Sequence, residues 1–362
     1  MTRPELARER VRELALYAPD DAACAVDLSD NTNLWGSPPA ALRAVQGAAG
    51  AAFSRYPSLY GDPLRAALLG YVGLADAPDV DVVTGCGSDD VLDSTMRAFG
   101  VAGDRIAFCA PTFSMIPYLA RLNELDAVAV PFTSSLDIDA ERLVNARAKI
   151  TYLCTPNNPT GFAASRAAIE YVVANAHGIV IIDEAYAEFA REVFVDLVAT
   201  NPNVVVARTF SKAFGLAGLR VGYGVCSRDV ARLIERARGP YKVTSLAERA
   251  ALAALSEGAD GVEWVLAHAA KACTNRARLT TALTSLGFTP FPSAANFMLV
   301  PTRRAAELSR ALIARGVLVR AFAGLPRDLA LLAQSEGAAL RIGVGPWPMM
   351  QTMLDALAGV LA

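Results

Sequence analysis

The stretch that decides the fold of this chain is Thr209-Phe-Ser-Lys-Ala-Phe-Gly-Leu-Ala-Gly-Leu-Arg220. It follows the apolar run 204–207, which predicts a buried parallel strand. A lysine in the crowded turn after a strand loses hydration and its pKa falls, as Schiff-base chemistry requires of Lys212. The two hydroxyl groups before this lysine and the guanidinium of Arg220 can bind a phosphate. Together they indicate pyridoxal phosphate as a cofactor, whereas the simpler alternative is a surface lysine after a strand.

The composition is that of a globular protein with two domains. The 362 residues are too many for one hydrophobic core, and 53% of them are hydrophobic while 19% are charged. The formal net charge of -2 gives no bulk attraction to nucleic acid or to an anionic membrane, so we expect neither as a partner. No run of 18 apolar residues predicts a membrane span, and the N-terminal stretch lacks the apolar core of a signal peptide.

Cysteine and histidine usage narrows the chemistry further. The six cysteines form no C-x-x-C pair, which is typical of reduced thiols in a cytoplasmic protein. Because only two histidines occur, we expect neither a histidine-based triad nor a metal site. A bound organic cofactor would supply the difficult chemistry instead.

Short apolar runs alternate with amphipathic helical stretches through the middle of the chain. The runs cover 80–83, 105–109, 126–130, 150–154, 178–182, 203–207 and 219–225. This alternation predicts an α/β domain with a mostly parallel, seven-stranded sheet. Beyond about residue 240 the pattern changes to that of a smaller α+β domain, with helices near 262–285, 303–314 and 347–361 and strands near 296–300 and 317–320.

The N-terminal segment is expected to join the smaller domain. We therefore predict a large domain over 35–260 and a small domain formed by 1–34 and 261–362. The apolar spacing also predicts a helix over 4–16. Ser37, which precedes two prolines, is predicted to cap the next helix.

A glycine turn follows the first apolar run and precedes a predicted helix. In Gly85-Cys-Gly-Ser-Asp-Asp90, the free N–H groups at the helix start can hold a phosphate. The turn is not a dinucleotide fingerprint, because Asp90 stands where its last glycine would be, and an ordinary strand-to-helix turn is the alternative. Phe113, just after the next run, can stack on a flat cofactor or simply pack in the core.

Two further turns carry polar groups suited to an aromatic ring. In Thr155-Pro-Asn-Asn-Pro-Thr-Gly161, the amide of Asn158 can donate to a ring oxygen or serve only as a structural turn residue. Asp183 follows the apolar run 178–182, where a charged carboxylate is costly unless it meets a cation such as a protonated pyridine nitrogen. Tyr186 can bind the ring oxygen. A Walker B site is excluded, because no Walker A motif precedes it.

In this order, these segments resemble the fold-type I pyridoxal-phosphate-dependent aminotransferases, and within them the histidinol-phosphate aminotransferase-like group. The matching segments are 55–57, 87–89, 111–113, 156–161, 183–186, 211–214, 218–220, 296–297 and 340–342. They extend over nearly the whole chain. The resemblance implies the fold of that family, with a large domain built on the seven-stranded sheet and a smaller α+β domain.

The resemblance also implies a role for each matching position on the cofactor side. Lys212 would form the imine and carry the proton, and Asp183 would pair with the pyridine nitrogen. Asn158 and Tyr186 would bind the ring hydroxyl, and Phe113 would stack on the ring. The residues implied for the phosphate are Gly87, Ser88, Asp89, Thr209, Ser211 and Arg220.

On the substrate side, the resemblance implies five residues: Tyr17, Asn33, Tyr241, Arg320 and Arg341. Arg341 matches the arginine that binds the substrate's anionic end. Tyr56 matches a tyrosine that reaches the phosphate of the neighbouring subunit, so a homodimer with shared sites is implied.

The implied reaction moves an amino group between a substrate, such as histidinol phosphate or an aromatic amino acid, and a 2-oxo acid. The alternatives are a lyase, cyclase or threonine-phosphate decarboxylase-like enzyme on the same scaffold, and a non-catalytic regulator. The segment 28–36 departs from the family pattern at Thr32 and Leu34. Because that segment lines the substrate entrance, the resemblance fixes the cofactor better than the substrate.

Overall fold

The structure is a computed structural model and describes residues 6–16 and 22–361. The strands are β1 (Val26–Asp27), β2 (Val80–Cys86), β3 (Arg105–Ala110), β4 (Asp126–Pro131), β5 (Ile150–Cys154), β6 (Ile179–Asp183), β7 (Val204–Thr209), β8 (Val221–Ser227), β9 (Phe297–Pro301), β10 (Val317–Leu318), β11 (Arg320–Phe322) and β12 (Ala339–Gly343). The helices are α1 (Glu9–Arg12), α2 (Pro39–Gln46), α3 (Ala51–Ser54), α4 (Asp62–Tyr71), α5 (Ser88–Phe99), α6 (Met115–Leu122), α7 (Ala140–Asn145), α8 (Arg166–Asn175), α9 (Arg228–Ala237), α10 (Ser245–Ala254), α11 (Val262–Ser285), α12 (Ala305–Ile313), α13 (Ala330–Gln334) and α14 (Trp347–Leu361).

The central sheet has seven strands in the order β2-β8-β7-β6-β5-β3-β4. Each of the seven predicted apolar runs forms one of these strands, which confirms the predicted α/β class. Only β8 runs antiparallel to its neighbours β2 and β7, while the other pairings are parallel. The carboxyl ends of the parallel strands therefore meet at one edge, where the turns that follow them come together.

The central sheet is apolar on both faces, because successive side chains of a strand point to opposite sides. Val180 and Ile182 of β6 join one buried cluster, while Ile179 and Ile181 join another. Helices cover both clusters. This double burial explains why the parallel strands read as continuous apolar runs.

Two smaller sheets lie outside the central one. In the first, β1 pairs in parallel with β10, and in the second β12 lies between β11 and β9 with antiparallel pairing. A third buried cluster is built from β1, the second half of α11, β10, α12, α14 and one face each of β9 and β12. The strands β11 and β12 are additions to the sequence-based expectation. The domain boundaries at residues 34–35 and 260–261 stay a prediction.

Two local expectations are corrected by the structure. Within the described residues, helix α1 covers only Glu9–Arg12 rather than 4–16. Leu6 and Leu16, near the two ends of the predicted helix, are 79% and 93% exposed, so the ends of the apolar stripe pack against little, and short helices are unstable without such packing. Ser37 does not cap α2; its hydroxyl instead donates to the carbonyl oxygen of Gly215 at 2.7 Å.

None of the helices in the part of the chain that the structure describes is long and apolar enough to cross a membrane.

Candidate active site

A cavity lies at the carboxyl edge of the central sheet, facing β11 and β12. It collects twelve of the residues predicted from sequence: Ser88, Asp89, Phe113, Asn158, Asp183, Tyr186, Thr209, Ser211, Lys212, Arg220, Arg320 and Arg341. Most of them directly follow a strand of the central sheet. Their convergence is therefore a consequence of strand direction, since parallel strands end at the same edge.

Lys212 extends into this cavity from the turn after β7. The turn is anchored by Phe210 and Phe214, which are both fully buried with ring centroids 4.5 Å apart. The Lys212 ammonium donates to the carbonyl oxygen of Asp30 at 3.0 Å. Loss of hydration, reinforced by the positive charge of Arg341, lowers the pKa of Lys212 to about 8. A substantial fraction of this amine is therefore uncharged and nucleophilic near neutral pH.

Asp183 ends β6 at the floor of the cavity. Its carboxylate accepts hydrogen bonds from the Tyr152 hydroxyl at 2.6 Å and from the backbone N–H of Ala185 at 3.1 Å. Burial raises the pKa of Asp183 to about 6, although both hydrogen bonds oppose the rise. No lysine, arginine or histidine pairs with it within 4.0 Å among the described residues. A buried carboxylate in this position suits a cationic ring nitrogen.

The groups suited to a phosphate lie at one end of the cavity. Ser88 opens α5, whose first turn has no side-chain cap and so presents free N–H groups. Arg220 donates to the hydroxyl of Ser211 at 3.4 Å and to Asp89 at 3.3 Å. Gly87 has φ +80°, and a Cβ there would lie 2.6 Å from the Arg220 guanidinium. Glycine is therefore needed both for the turn and for the approach of the arginine.

Asp89 adds a carboxylate to this end of the cavity. Burial raises its pKa, while the neighbouring charge of Arg220 acts in the opposite direction. The ion pair between the two side chains limits the repulsion that an entering phosphate would meet.

Polar groups for a ring oxygen lie on the opposite wall. The Tyr186 hydroxyl accepts a hydrogen bond from the Asn31 amide at 3.1 Å, and burial raises the pKa of Tyr186. Asn158 accepts from Arg341 at 2.8 Å through its oxygen. The amide nitrogen of Asn158 therefore points away from the Arg341 guanidinium and can act as a hydrogen-bond donor. Phe113 is half-buried and lines the same cavity.

Two arginines that are predicted to bind substrate line the cavity. Arg320 on β11 and Arg341 on β12 are directly opposite each other in the antiparallel ladder. Like charges at opposed positions repel, so a bound anion would reduce the repulsion between the two guanidinium groups. The Arg341 guanidinium also donates to the carbonyl oxygen of Ser29 and lies 5.5 Å from the ring centre of Phe297.

This set of groups fits pyridoxal phosphate. The observation that decides the fit is the buried carboxylate of Asp183, which has hydrogen-bond donors but no cation beside it among the described residues. The cavity also holds donors for a phosphate at one end and the amine of Lys212. No group of three or more metal-ligating side chains occurs in residues 6–16 and 22–361.

The family profile described as aminotransferase class I and II matches residues 24–357 of this chain. The chain belongs to the class I and II aminotransferases. Its cofactor is pyridoxal phosphate, and its activity is that of an aminotransferase. The predicted family, fold type and cofactor are thereby confirmed.

The aminotransferase is similar in sequence to relatives with two different named activities. It is 39% identical over 349 residues to a histidinol-phosphate aminotransferase from Roseiflexus castenholzii, covering 92% of this chain and 89% of that protein. It is 35% identical over 328 residues to an aromatic amino acid aminotransferase from Mycobacteroides abscessus, covering 88% and 92%. The crystal structure of histidinol-phosphate aminotransferase from Sinorhizobium meliloti, in complex with pyridoxal-5'-phosphate, superposes with a TM-score of 0.84 at 26% identity, covering 98% and 96%.

Some predicted residues of the aminotransferase do not line the cavity. Asn33 donates to the carbonyl oxygen of Ala213 at 2.7 Å and so holds the lysine turn. Tyr56 is 81% exposed and stacks on Tyr241, with ring centroids 4.8 Å apart. Tyr17 lies outside the described residues. The roles predicted for Tyr17, Asn33, Tyr56 and Tyr241 stay predictions.

Other residues of the site were not predicted from the sequence of the aminotransferase. Ser29, Asp30 and Asn31 line the cavity, and Tyr152 binds Asp183 from beneath. The dense turn formers between residues 29 and 39 were a usable signal for the first three. The signal for Tyr152 was weaker. Its hydroxyl lies inside an otherwise apolar run, and a buried hydroxyl needs a hydrogen-bond partner.

Proposed function

We propose that Lys212 is the residue that binds the cofactor and moves the proton during amino transfer, and that the donor is an amine with an anionic end. The observation that carries this proposal is the lowered pKa of Lys212 in a cavity shared with Asp183 and Arg220. A half-buried amine, a buried carboxylate and a phosphate site at these positions are what the chemistry of an aminotransferase requires.

When bound, pyridoxal phosphate supplies an aldehyde that condenses with amines and a ring that accepts the electron pair released when the substrate carbon loses its proton. Lys212 holds the cofactor before substrate arrives and then, once displaced, carries that proton on Nζ. Asp183 keeps the ring nitrogen protonated, because the negative charge of its carboxylate stabilises the positive charge of the protonated nitrogen. Both groups therefore act on the reacting atoms.

The remaining cofactor contacts follow from the positions in the cavity. Asn158 and Tyr186 bind the ring oxygen, and Phe113 stacks on the ring. The phosphate is held by Gly87, Ser88, Asp89, Thr209, Ser211 and Arg220. These roles are proposals, and they are supported by the shared cavity and by the hydrogen bonds of Arg220 to Ser211 and Asp89.

Histidinol phosphate is the substrate that we propose first, and an aromatic amino acid second. Both have an amine and an anionic group, and both correspond to named relatives. The opposed pair Arg320 and Arg341 favours a phosphate, because two guanidinium groups match a dianion better than a carboxylate. The acceptor is a 2-oxo acid.

The first experiment is an absorbance titration of the purified holoenzyme. Histidinol phosphate, L-phenylalanine, L-tyrosine and L-glutamate are added separately, and the band of the lysine-bound cofactor is followed. A donor that converts this band to that of the amino form of the cofactor identifies the substrate class. Conversion by histidinol phosphate at the lowest concentration is the expected result.

Two other outcomes contradict the proposal in different ways. If no donor discharges the band and carbon dioxide or ammonia is released without a 2-oxo acid, the chemistry is that of a lyase. If the protein shows no lysine-bound band after pyridoxal phosphate is added, the role proposed for Lys212 is wrong.

We propose further that the enzyme is a homodimer in which Tyr56 completes the neighbouring site. Tyr56 and Tyr241 are both exposed, and Phe53 close by in the chain is 68% exposed. Exposed aromatic side chains in one region are typical of a protein interface. Tyr56 does not line the cavity of its own chain, which supports a contribution across the interface.

Hybrid dimers test this sharing. Neither K212A nor Y56A is expected to be active by itself. In a mixed dimer, one of the two sites combines Lys212 from the Y56A chain with Tyr56 from the K212A chain. Random pairing makes about half of the dimers mixed, so about a quarter of all sites regain wild-type composition. Recovery of activity after mixing and refolding is expected. If Tyr56 acts within its own chain, no site is restored and the mixture stays inactive.

We also propose a cytoplasmic location. All six cysteines are free thiols in the structure, and reduced thiols are the usual state in the cytosol. Fractionation of the native host with an antibody to the protein would test this, and recovery in a secreted or membrane fraction would contradict it.

A further inference from the structure

The side chain of Asn31 contacts the hydroxyl of Tyr186 inside the active-site cavity. Its Nδ2 donates to the phenol oxygen at 3.1 Å, and both residues are buried, with Asn31 only 3% exposed. Among the described residues, no other hydrogen bond is made by the Tyr186 hydroxyl. Asn31 lies in the segment before α2 and Tyr186 follows β6, so the contact joins two distant parts of the chain.

The backbone of Asn31 is held in place independently of Tyr186. It adopts φ +59°, a left-handed conformation that asparagine tolerates better than most residues. The side chain of Asn296, itself 2% exposed, donates to the carbonyl oxygen of Asn31 at 3.0 Å. The Asn296 contact therefore positions the backbone from which the Asn31 amide reaches Tyr186.

The direction of this hydrogen bond determines where the phenol proton points. A phenol has a single proton, and here its oxygen already accepts from Asn31. The O–H bond must point away from that donor, and no described residue accepts it. Because Tyr186 lines the cavity, the acceptor can be supplied by a group bound there.

We infer that Asn31 is a positioning residue that orients the Tyr186 hydroxyl as a donor to the ring oxygen of pyridoxal phosphate. The inference rests on the proposed roles of Lys212 and Tyr186. A phenol that donates to the ring oxygen stabilises negative charge there. The ring oxygen needs this stabilisation most when the link between Lys212 and the cofactor is unprotonated, because the positive charge of the protonated link no longer offsets the charge on the oxygen. The donated hydrogen bond therefore favours the unprotonated form and lowers the pKa of the link.

The test is a pH titration of the holoenzyme absorbance in two Asn31 variants. N31G removes the side chain without backbone strain, because glycine adopts positive φ readily. N31D keeps the shape of the side chain but has no N–H to donate. In both, the pKa of the lysine-bound cofactor is expected to rise by about one unit. Arg341, Asp183 and Cys154 also surround the hydroxyl, and these variants leave them unchanged.

The Y186F background separates this role from a merely structural one. If Asn31 acts through the phenol, N31G adds no further shift to that of Y186F. An equal N31G shift in the Y186F and wild-type backgrounds would overturn the inference. A titration of N31D that matched the wild type would also overturn the inference. The Tyr186 hydroxyl would then donate to the side chain at position 31 rather than to the ring oxygen. Absence of the lysine-bound band in the wild-type enzyme would instead contradict the proposed function.

Discussion

Tyr152 on β5 donates a 2.6 Å hydrogen bond to Asp183 at the end of the neighbouring parallel strand β6. Both residues are buried, so the phenol supplies part of the stabilisation that water gives an exposed carboxylate. This contact opposes the rise that burial causes in the pKa of Asp183. It therefore helps to keep the carboxylate ionised near neutral pH, as the role proposed for Asp183 beside a cationic ring nitrogen requires.

Removal of this hydroxyl is expected to weaken cofactor binding. In Y152F the pKa of Asp183 rises further above about 6, so more of the carboxyl is protonated near neutral pH. The affinity for pyridoxal phosphate should fall about tenfold at pH 6.5 and less at pH 8.5, since one hydrogen bond to a charged group is lost. Y171F, which alters a 44% exposed tyrosine, is the control. Equal affinities in the two variants at both pH values would contradict the prediction.

The Asp183 carboxylate, with no cation beside it among the described residues, is expected to lower the free energy of unfolding of the apoenzyme. Because the pKa of Asp183 is about 6 in the folded chain against 3.8 unfolded, the folded state binds this proton more readily. The carboxylate therefore destabilises the fold above pH 6, and this penalty disappears as the pH falls below 4. D183N apoenzyme should unfold with a free energy up to about 3 kcal/mol higher than wild type at pH 8.

Urea unfolding of the two apoenzymes at pH 8 and at pH 4.5 measures this difference. The gap should narrow at the lower pH. In the holoenzyme the order should reverse, because the variant lacks the charge proposed to bind the cofactor ring. A D183N apoenzyme no more stable than wild type at pH 8 would show that Asp183 carries no such penalty.

The rate of cofactor attachment to the apoenzyme is expected to follow the titration of Lys212. Only the uncharged amine attacks an aldehyde, so the rate should rise with pH and level off above about pH 8. The R341Q variant removes a positive charge that lowers this pKa, and its profile should move to higher pH. Stopped-flow absorbance measures both. K212A should form no such band, and K271A, which alters an exposed lysine, should behave as wild type.

The opposed arginines are expected to select a phosphate-bearing substrate. R320Q should lower kcat/KM for histidinol phosphate by about 10- to 100-fold, because one charge-assisted hydrogen bond to the anion is lost. Inhibition by inorganic phosphate should weaken in parallel. R303Q, at an arginine whose side chain is 67% exposed, is the control. If R320Q and R303Q give the same kcat/KM, Arg320 does not contact the substrate.

A buried ion pair supports the two strands that carry Asp183 and Lys212. Arg208 donates to Glu184 at 2.7 Å, and their side chains are 7% and 1% exposed. R208M is expected to lower the free energy of unfolding by about 3–5 kcal/mol, because it leaves a buried carboxylate unpaired. The double variant E184Q/R208M should recover part of this loss in urea unfolding. The exposed pair of Arg43 and Asp260 offers a matched control in R43M, which should change little.

The cofactor side of the site follows from the sequence for a simple reason. Its polar groups come directly after apolar runs, and parallel strands bring such positions to one edge. Asp183, Asn158 and Lys212 are all found in this way. Each needs only local pattern and strand direction, which a sequence supplies.

The substrate side depends on contacts between distant segments, which local patterns do not show. Asn31 reaches the cavity because β1 pairs with β10, with Val26 opposite Val317. Arg320 and Arg341 become neighbours only through the pairing of β11 with β12. Ser37 resembles a helix cap in sequence, but its hydroxyl is taken by the carbonyl of Gly215 in the lysine turn. In each case a partner that is distant in sequence decides the position or contact of the side chain.

The hydrogen bond from Arg341 to Asn158 has an optical consequence. An anion that binds Arg341 competes for the guanidinium N–H that now holds the Asn158 oxygen. The amide would then be free to rotate, and the hydrogen bond that we propose from Asn158 to the ring oxygen would change. Unreactive anions such as sulfate should therefore alter the colour of the holoenzyme without any chemistry. Through the Asn158 amide, the absorbance of the bound cofactor would then depend on whether the substrate site is occupied.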